Sequence, residues 1–387
     1  SRTEQIRTTS FQADSADPGA KRISVDFALP RAKMERSHPV SAAWESSGYH
    51  KEEEFMRAVT LALFDYLRKS RSRGFVLSIS GGADSAAAAC LVALMVERAI
   101  DQLGAPKFAD KIGLEPRAGV RAWVEQLLCC AYQPTDNSSA VTQNAATALA
   151  ESLGATYYVL NVQHIVAAYE RLISDAVGRP LTWEQDDITL QNIQARARAP
   201  SVWMLANMRG ALLLSTSNRS EAAVGYATMD GDTSGGLSPI AGIDKAFLRK
   251  WLHWLEIEGP MGMNPIPALH AVNVQTPTAE LRPLGSEQTD ESDLMPYPVL
   301  DAIERLAIGE KLPPTDCLEI LTSDFPDHDR DTLVAWVKRF FRLWSRNQWK
   351  RERYAPSFHV DDKNLDPKTW CRFPILSGGF EQELSEL

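Results

Sequence analysis

The stretch FVLSISGGADSAAAACLVALMV, from Phe75 to Val96, constrains the chain more than any other. A short apolar run ends in a glycine pair, and nothing polar follows between Ala86 and Val96. That order predicts a buried strand, a tight turn and a helix apolar nearly all round, which must therefore lie inside the molecule. The turn leaves backbone N–H groups free at a helix N-terminus, where aligned peptide dipoles favour an anion. Phosphate is the expected guest. Asp84 and Ser85 add a carboxylate and a hydroxyl aimed at the same spot.

Around this unit the chain alternates. KEEEFMRAVTLALFDYLRKSRSRG places Phe55, Met56, Val59, Leu63, Tyr66 and Leu67 on one helical face, with acids in its first turn and bases in its last. QLLCCAYQP, ATYYVLNV and ALLLS read as further buried strands. The helices between them end at Leu153, at Val177 and at Gly210, and Pro200 marks an expected kink in the third. Residues 104–119 read as a Gly/Pro-broken stretch and GRPLTWEQDD as a polar loop. The expected fold is α/β, a doubly wound, mostly parallel sheet with helices on both faces, followed by a helical C-terminal segment. Residues 1–50 are polar, aperiodic and dotted with prolines, and read as a linker or arm. Residues 51–387 read as the folded domain.

At 387 residues and 44% hydrophobic content the chain can bury one large core or two smaller ones. A net charge of −9 argues against nucleic-acid binding by overall charge. The five cysteines show no C-x-x-C spacing and read as small buried hydrophobes in a reducing compartment. No uncharged apolar run of about 18 residues is present, so a cytoplasmic protein without a membrane partner is expected. The chain opens on Ser1 rather than Met and reads as a fragment, a processed form or a trimmed chain.

Chemistry concentrates past the strand ends. Asp84 follows the first strand and Glu221, in STSNRSE, follows the fourth, so the two carboxylates can converge on one hard divalent cation, Mg²⁺ bound to ATP phosphates. Taken alone, Glu221 reads equally well as a first-turn helix acid. Thr216 and Ser217 can offer hydroxyls to phosphate. Lys245 opens a helix after the glycine-rich loop and can neutralise developing charge on pyrophosphate, although a solvated surface lysine is the commoner fate. Trp251, Trp254, Trp336 and Trp344 suit either an interface or the core. His270 and His328 are given no role.

SGGADS resembles the pyrophosphate-binding loop of the N-type ATP pyrophosphatases. Within that group QNIQARAR, STSNRSEAAVGYATMDGDTSGGLSPIAGIDKAFLR and QTPTAELRP…QTDESDLMPYPVLDAI are similar, in order and spacing, to NAD synthetases. The likeness runs from about residue 53 to the end. VDFALP, the EEE helix and VKRFFRLWSRNQWKRERYAPSFH further resemble the synthetase half of the glutamine-dependent, two-domain type, so residues 1–50 would be what remains of a link to a nitrilase-like glutaminase domain.

The resemblance implies an adenine nucleotide alpha-hydrolase-like fold and an ATP-dependent amidation of deamido-NAD through an adenylate. AMP and pyrophosphate leave, and ammonia is the nitrogen donor, free or from a glutaminase domain or subunit. It implies that Ser80, Gly81, Gly82 and Ser85 hold pyrophosphate and that Asp84 and Glu221 take Mg²⁺. Thr216, Lys245 and Thr278 would contact ATP, and Asn192, Arg196 and Lys350 would lie at the deamido-NAD site. The family often has lysine where Met229 stands and aspartate where Gly236 stands; Asp230 and Asp232 lie close by in sequence and can substitute, and Asp232 is carried as a site residue. A homodimer or larger homo-oligomer is implied. Two alternatives stand beside this reading: another adenylating amidotransferase of the same loop family, and a catalytically silent nucleotide-binding paralogue.

Overall fold

The computed structural model describes residues 26–27, 42–276, 280–283, 289–360, 363–368, 373–375 and 377–387. Thr278 and Cys371 lie outside the described residues. The chain divides into two units, Ser1–Ala42 and Ala43–Leu387. In the first, Asp26 and Phe27 are described and are exposed.

The second unit is organised on four parallel strands, β1 (Phe75–Ser78), β2 (Leu128–Tyr132), β3 (Thr156–Val159) and β4 (Leu212–Leu214), in the order β3-β2-β1-β4. Val76 pairs with Cys129 on one side and Leu213 on the other, and Cys129 pairs with Thr156. β1 and β2 are buried on both faces, which is why they read as continuous apolar runs rather than alternating ones.

Helices cover both faces. The first eight are α1 (His50–Ser70), α2 (Ala83–Leu103), α3 (Ala105–Ile112), α4 (Gly119–Leu127), α5 (Ala140–Leu153), α6 (Gln163–Val177), α7 (Trp183–Arg209) and α8 (Arg219–Val224). Phe75, Leu77, Cys130 and Leu214 join one core with α1, α2 and α5. Val76, Cys129, Ala131 and Leu213 face the other way, against Val202 and Ala206 of α7. Ala86, Ala87, Ala88 and Ala89 are fully buried, and their small side chains let the α2 backbone sit close to the sheet. Then come α9 (Lys245–Ile257), α10 (His270–Asn273), α11 (Asp290–Asp293), α12 (Tyr297–Glu304), α13 (Pro314–Asp324), α14 (Arg330–Arg346), α15 (Gln348–Arg351) and α16 (Glu381–Ser385). α8 and α12 to α14 share a separate core around Leu300, Ile303, Val337 and Phe340.

Three expectations need correction. The stretch 104–119 is not broken chain but holds α3 and the start of α4; Gly104 and Gly113 are the residues that end α2 and α3, both at positive φ. The GRPLTWEQDD segment is helical from Trp183. α7 leaves helical geometry at Asp186, not at Pro200, because the Asp186 carboxylate holds Arg179 and the Thr182 N–H instead. Of the two readings of the tryptophans the core one holds: Trp251, Trp254 and Trp344 are buried and Trp336 is partly buried.

The order of the strands fixes where a ligand can bind. The chain moves outward from β1 through β2 to β3, then returns to place β4 on the opposite side of β1. β1 and β4 are neighbours, so the loops leaving them stand side by side at the strands' carboxyl ends, where an open α/β sheet takes its ligand, and α2 and α9 that follow them join one core.

Candidate active site

The loop from Ile79 to Gly82 leaves β1 for α2. Gly81 has φ +83°, and a Cβ there would lie 2.1 Å from the Thr142 carbonyl oxygen, so glycine is required on both counts. Ser85 Oγ accepts the Ser80 N–H at 3.1 Å and donates to the Gly82 carbonyl at 3.1 Å. Ser80 Oγ accepts the Gly82 N–H at 3.2 Å. The buried Ser85 hydroxyl thus braces the loop. α2 starts with Gly82 as its N-cap and no side chain capping its first amides, which leaves the positive end of the helix to an anion.

The loop after β4 is organised by Asn218. Its Oδ1 accepts the Glu221 N–H at 2.9 Å, capping α8, and its Nδ2 donates to Asp84 Oδ1 at 3.0 Å. One side chain ties the two loops together. Lys245 opens α9 behind its N-cap Asp244, which accepts the Phe247 N–H at 2.7 Å. Its ammonium is only slightly exposed and donates to Asp84 Oδ2 and, at 3.1 Å, to Glu221 Oε1. The expected convergence of Asp84 and Glu221 is present, with Lys245 between them.

Electrostatics follow from that packing. Burial pushes the Glu221 carboxyl up; Lys245 opposes the shift, while Asp84 and Asp290 add to it. Burial works against the Lys245 charge, but Asp84 and Glu221 outweigh it and hold the ammonium well above the ordinary lysine range. Asp290, from α11, accepts from the hydroxyl of Tyr297 at 3.3 Å, and its own carboxyl is pushed up by burial. The cluster carries surplus negative charge in a poorly solvated place, which suits a hard divalent cation. Among the described residues no three His, Cys, Asp or Glu side chains form a metal cage, so a cation here would take its other ligands from phosphate and water.

A cavity of about 270 Å³ opens over this cluster. Ser80, Gly82, Asp84, Thr216, Glu221, Asp232 and Lys245 line it, whereas Gly81, Ser85, Asn192, Arg196 and Lys350 do not. The last three nevertheless meet at one place, the 225–232 loop. Asn192 Oδ1 accepts from Thr228 Oγ1 at 2.8 Å, and Arg196, which is exposed, donates to the Met229 carbonyl at 3.0 Å. Lys350 Nζ donates to the carbonyls of Gly225 and Ala227 at 2.8 and 2.9 Å. Asp232 accepts the Thr228 N–H at 2.8 Å while facing the cavity. Gly236 donates its N–H to Leu213 at 2.8 Å and extends the pairing beside β4. His270 pairs with Glu256 away from the cavity lining.

Sequence reasoning missed Asn218, Asp290 and Arg198. Asn218 stood in plain sight as an N-cap residue three before Glu221. Arg198 lines the cavity and donates to the Gln133 carbonyl at 3.0 Å, while its neighbour Arg196 points elsewhere. Helical spacing separates the two by about 200°, since α-helical residues turn 100° each. Asp290 had no local signal, because its neighbours in the site come from other segments.

Comparisons with known proteins give this crevice a family. The family model described as NAD synthase matches residues 55–353. A glutamine-dependent NAD(+) synthetase of Bos taurus is 31% identical, covering 96% of this chain and 57% of its own length. One from Aquifex aeolicus is 34% identical, covering 85% of this chain and 49% of its own. The crystal structure of a glutamine-dependent NAD(+) synthetase from Cytophaga hutchinsonii superposes with a TM-score of 0.77 at 48% identity, over 87% of this chain and 56% of that one. The chain spans about half the length of the curated relatives it matches. With the family model spanning the sheet, both loops and α9, the chain belongs to the NAD synthase family.

Proposed function

We propose that the chain catalyses ATP-dependent amidation of deamido-NAD to NAD, releasing AMP and pyrophosphate. The observation that carries this reading is the Asp84–Lys245–Glu221 cluster at the open N-terminus of α2. A carboxylate is a poor electrophile, and adenylation turns one of its oxygens into a good leaving group. Ammonia then attacks the acyl carbon and expels AMP. No covalent enzyme intermediate is needed, so positioning and charge stabilisation suffice.

The glycine loop, with Ser80, Gly81, Gly82 and Ser85, would hold the pyrophosphate as it leaves. Thr216 and Lys245 would contact ATP, and Thr278 would do so from outside the described residues. Asp84 and Glu221 are the residues to hold Mg²⁺, which when bound neutralises phosphate charge. Asn192, Arg196, Asp232 and Lys350 would shape the deamido-NAD side, directly or by setting the 225–232 loop.

Residues 1–50 are proposed as a linker or arm to a glutaminase domain, in keeping with the glutamine dependence in the relatives' name. For the chain by itself the donor is free ammonia. Glutamine hydrolysis by a cysteine needs a thiolate near neutral pH. Cys90, Cys129, Cys130 and Cys317 are all buried, and burial pushes each thiol up, Cys317 to about 12.

We also propose a homodimer, covering an apolar face described in the Discussion. No helix among the described residues is long and apolar enough to cross a membrane.

The test is direct: purified chain with ATP, Mg²⁺, deamido-NAD and ammonium should yield NAD and AMP in equal amounts. ADP as the spent nucleotide would overturn the reading. Turnover with xanthosine monophosphate or aspartate in place of deamido-NAD would favour a sister synthetase. ATP binding without AMP would favour a silent paralogue, and glutamine-supported turnover equal to ammonium would overturn the assignment of the donor.

A further inference from the structure

α8 carries Glu221 yet has only six residues, Arg219–Val224. A helix that short does not hold itself in water, and its last carbonyls lack partners within it. The N–H groups of Gly225 and Tyr226 reach back to Ala222 and Glu221, and the side-chain partners come from more than 120 residues away. Asn347 Nδ2 donates to the Val224 carbonyl at 2.7 Å. Arg351 Nη1 donates to the carbonyls of Ala222 and Ala223 at 3.2 and 2.8 Å. Lys350 donates to two carbonyls just beyond the helix, those of Gly225 and Ala227.

The fit is tight as well as polar. Arg351 is 2% exposed and Asn347 8%. Arg351 is itself held by Gln348 Oε1 at 3.0 Å and by the Trp344 carbonyl at the end of α14. Gly225 ends α8 at φ +66°, and a Cβ there would stand 2.4 Å from Asn347 Cβ. Two cations at the C-terminus of α8 also meet the negative end of its dipole.

We propose that Asn347 and Arg351 are positioning residues for Glu221: the α14–α15 junction fixes where α8 sits along its axis, and so where this carboxylate stands relative to Asp84. Glu221 lies within one turn of both α8 carbonyls that Arg351 holds. The N-terminal end of α8 is pinned by Arg219, which donates to Glu304, Gly242 and Asp244, and by Ser220, which donates to Asp301, so Asn347 and Arg351 are what fixes the other end. Releasing that C-terminal end lets the last turn of α8 fray, and the Asp84–Glu221 pair opens. The effect falls on the cation held between the carboxylates rather than on deamido-NAD. The inference rests on Glu221 being a metal-holding carboxylate, as proposed above.

The experiment measures Mn²⁺ binding by electron paramagnetic resonance in the presence of α,β-methylene-ATP, for the full chain and for Arg351→Met and Arg351→Lys, with circular dichroism to check folding. Arg351→Met should raise the Mn²⁺ Kd at least tenfold, and Arg351→Lys, which keeps a charge and some donors, should recover most of it. In turnover, kcat should fall while KM for deamido-NAD stays within twofold. A folded Arg351→Met with a lowered melting temperature but Mn²⁺ affinity within twofold of the parent would overturn the proposal and leave a stability role alone. Should that variant not fold, Asn347→Ser carries the same comparison with a smaller expected rise of about threefold. Parent protein that binds Mn²⁺ but makes no NAD would refute the proposed reaction without touching this inference; parent protein that binds none would refute the metal reading and this proposal with it.

Discussion

At Gly81 a single methyl group has nowhere to go. The backbone is at φ +83°, and the 2.1 Å approach to Thr142 involves a backbone carbonyl in the first turn of α5, not a side chain able to swing aside. The left-handed conformation alone costs a non-glycine residue about 1–2 kcal/mol, and relieving the overlap means moving the loop or α5. Gly81→Ala should therefore lose about 2 kcal/mol or more in urea unfolding and weaken ATP binding at least tenfold by calorimetry. Gly82→Ala is the control: its Cβ would meet only Ser80 Oγ, at 3.4 Å, so it should keep the parent's stability within about 1 kcal/mol. Equal losses in the two variants would show that the close approach does not govern the loop. The same residues show why part of the site was legible. Asp84, Glu221 and Lys245 each sit just past a strand or at a helix start, positions that local patterning reveals. Asp290 and Arg198 depend on which helix face turns inward, and that is settled by tertiary packing.

At the joint between α8 and α9 one carboxyl group bonds to both helices, beside the Arg219–Asp244 and Lys245–Glu221 ion pairs. Asp301 of α12 accepts from Ser220 Oγ and, at 3.2 Å, from the Ala246 N–H, while Ser220 Oγ accepts the Lys245 N–H at 2.8 Å. Burial and the nearby Asp244 charge push the Asp301 carboxyl up to about 7. A carboxyl raised in the folded state binds its proton there while the unfolded chain has already released it. Stability must then fall as pH rises from about 4 to about 7 and level off above, with a slope of up to about 1.4 kcal/mol per pH unit for one proton. Asp301→Asn should flatten the pH dependence of unfolding free energy by about one proton between pH 4 and 7. Glu221 and Glu304, whose carboxyls burial also raises, stay in both proteins, so the difference isolates Asp301. Unchanged slopes would refute it. Element by element, the four strands were legible because each is a short apolar run closed by turn residues. α3 and the first turn of α7 were not, because Gly104, Gly113 and Pro180 look like loop in sequence while in the fold the two glycines end neighbouring helices and Pro180 lies just before α7.

Across the molecule, the tryptophans that suited an interface lie in the core, and exposed apolar surface gathers elsewhere. α7 covers the sheet with Val202 and Ala206 and turns Met204 and Met208 outward, 64% and 80% exposed. α6, packed beside it, exposes Leu172 at 62% and Ile173 at 45%. Amphipathic periodicity cannot tell a face bound for the core from one bound for a partner, which is why the sequence left both readings of the tryptophans open. Large apolar side chains repeated along adjoining helices mark an association surface. The homodimer proposed above would use this face: α7 also carries Asn192 and the exposed Arg196, so a symmetric contact here would bring the 225–232 loops of both copies next to the interface. Sedimentation velocity at micromolar concentration should show a dimer, and Leu172→Lys with Met204→Lys should give a monomer of unchanged circular dichroism. Because Arg196 holds the Met229 carbonyl on that loop, the monomer should also show a raised KM for deamido-NAD with KM for ATP unchanged. A parent chain that sediments as a monomer would refute the dimer. A dimer that survives both lysines would place its interface on another face.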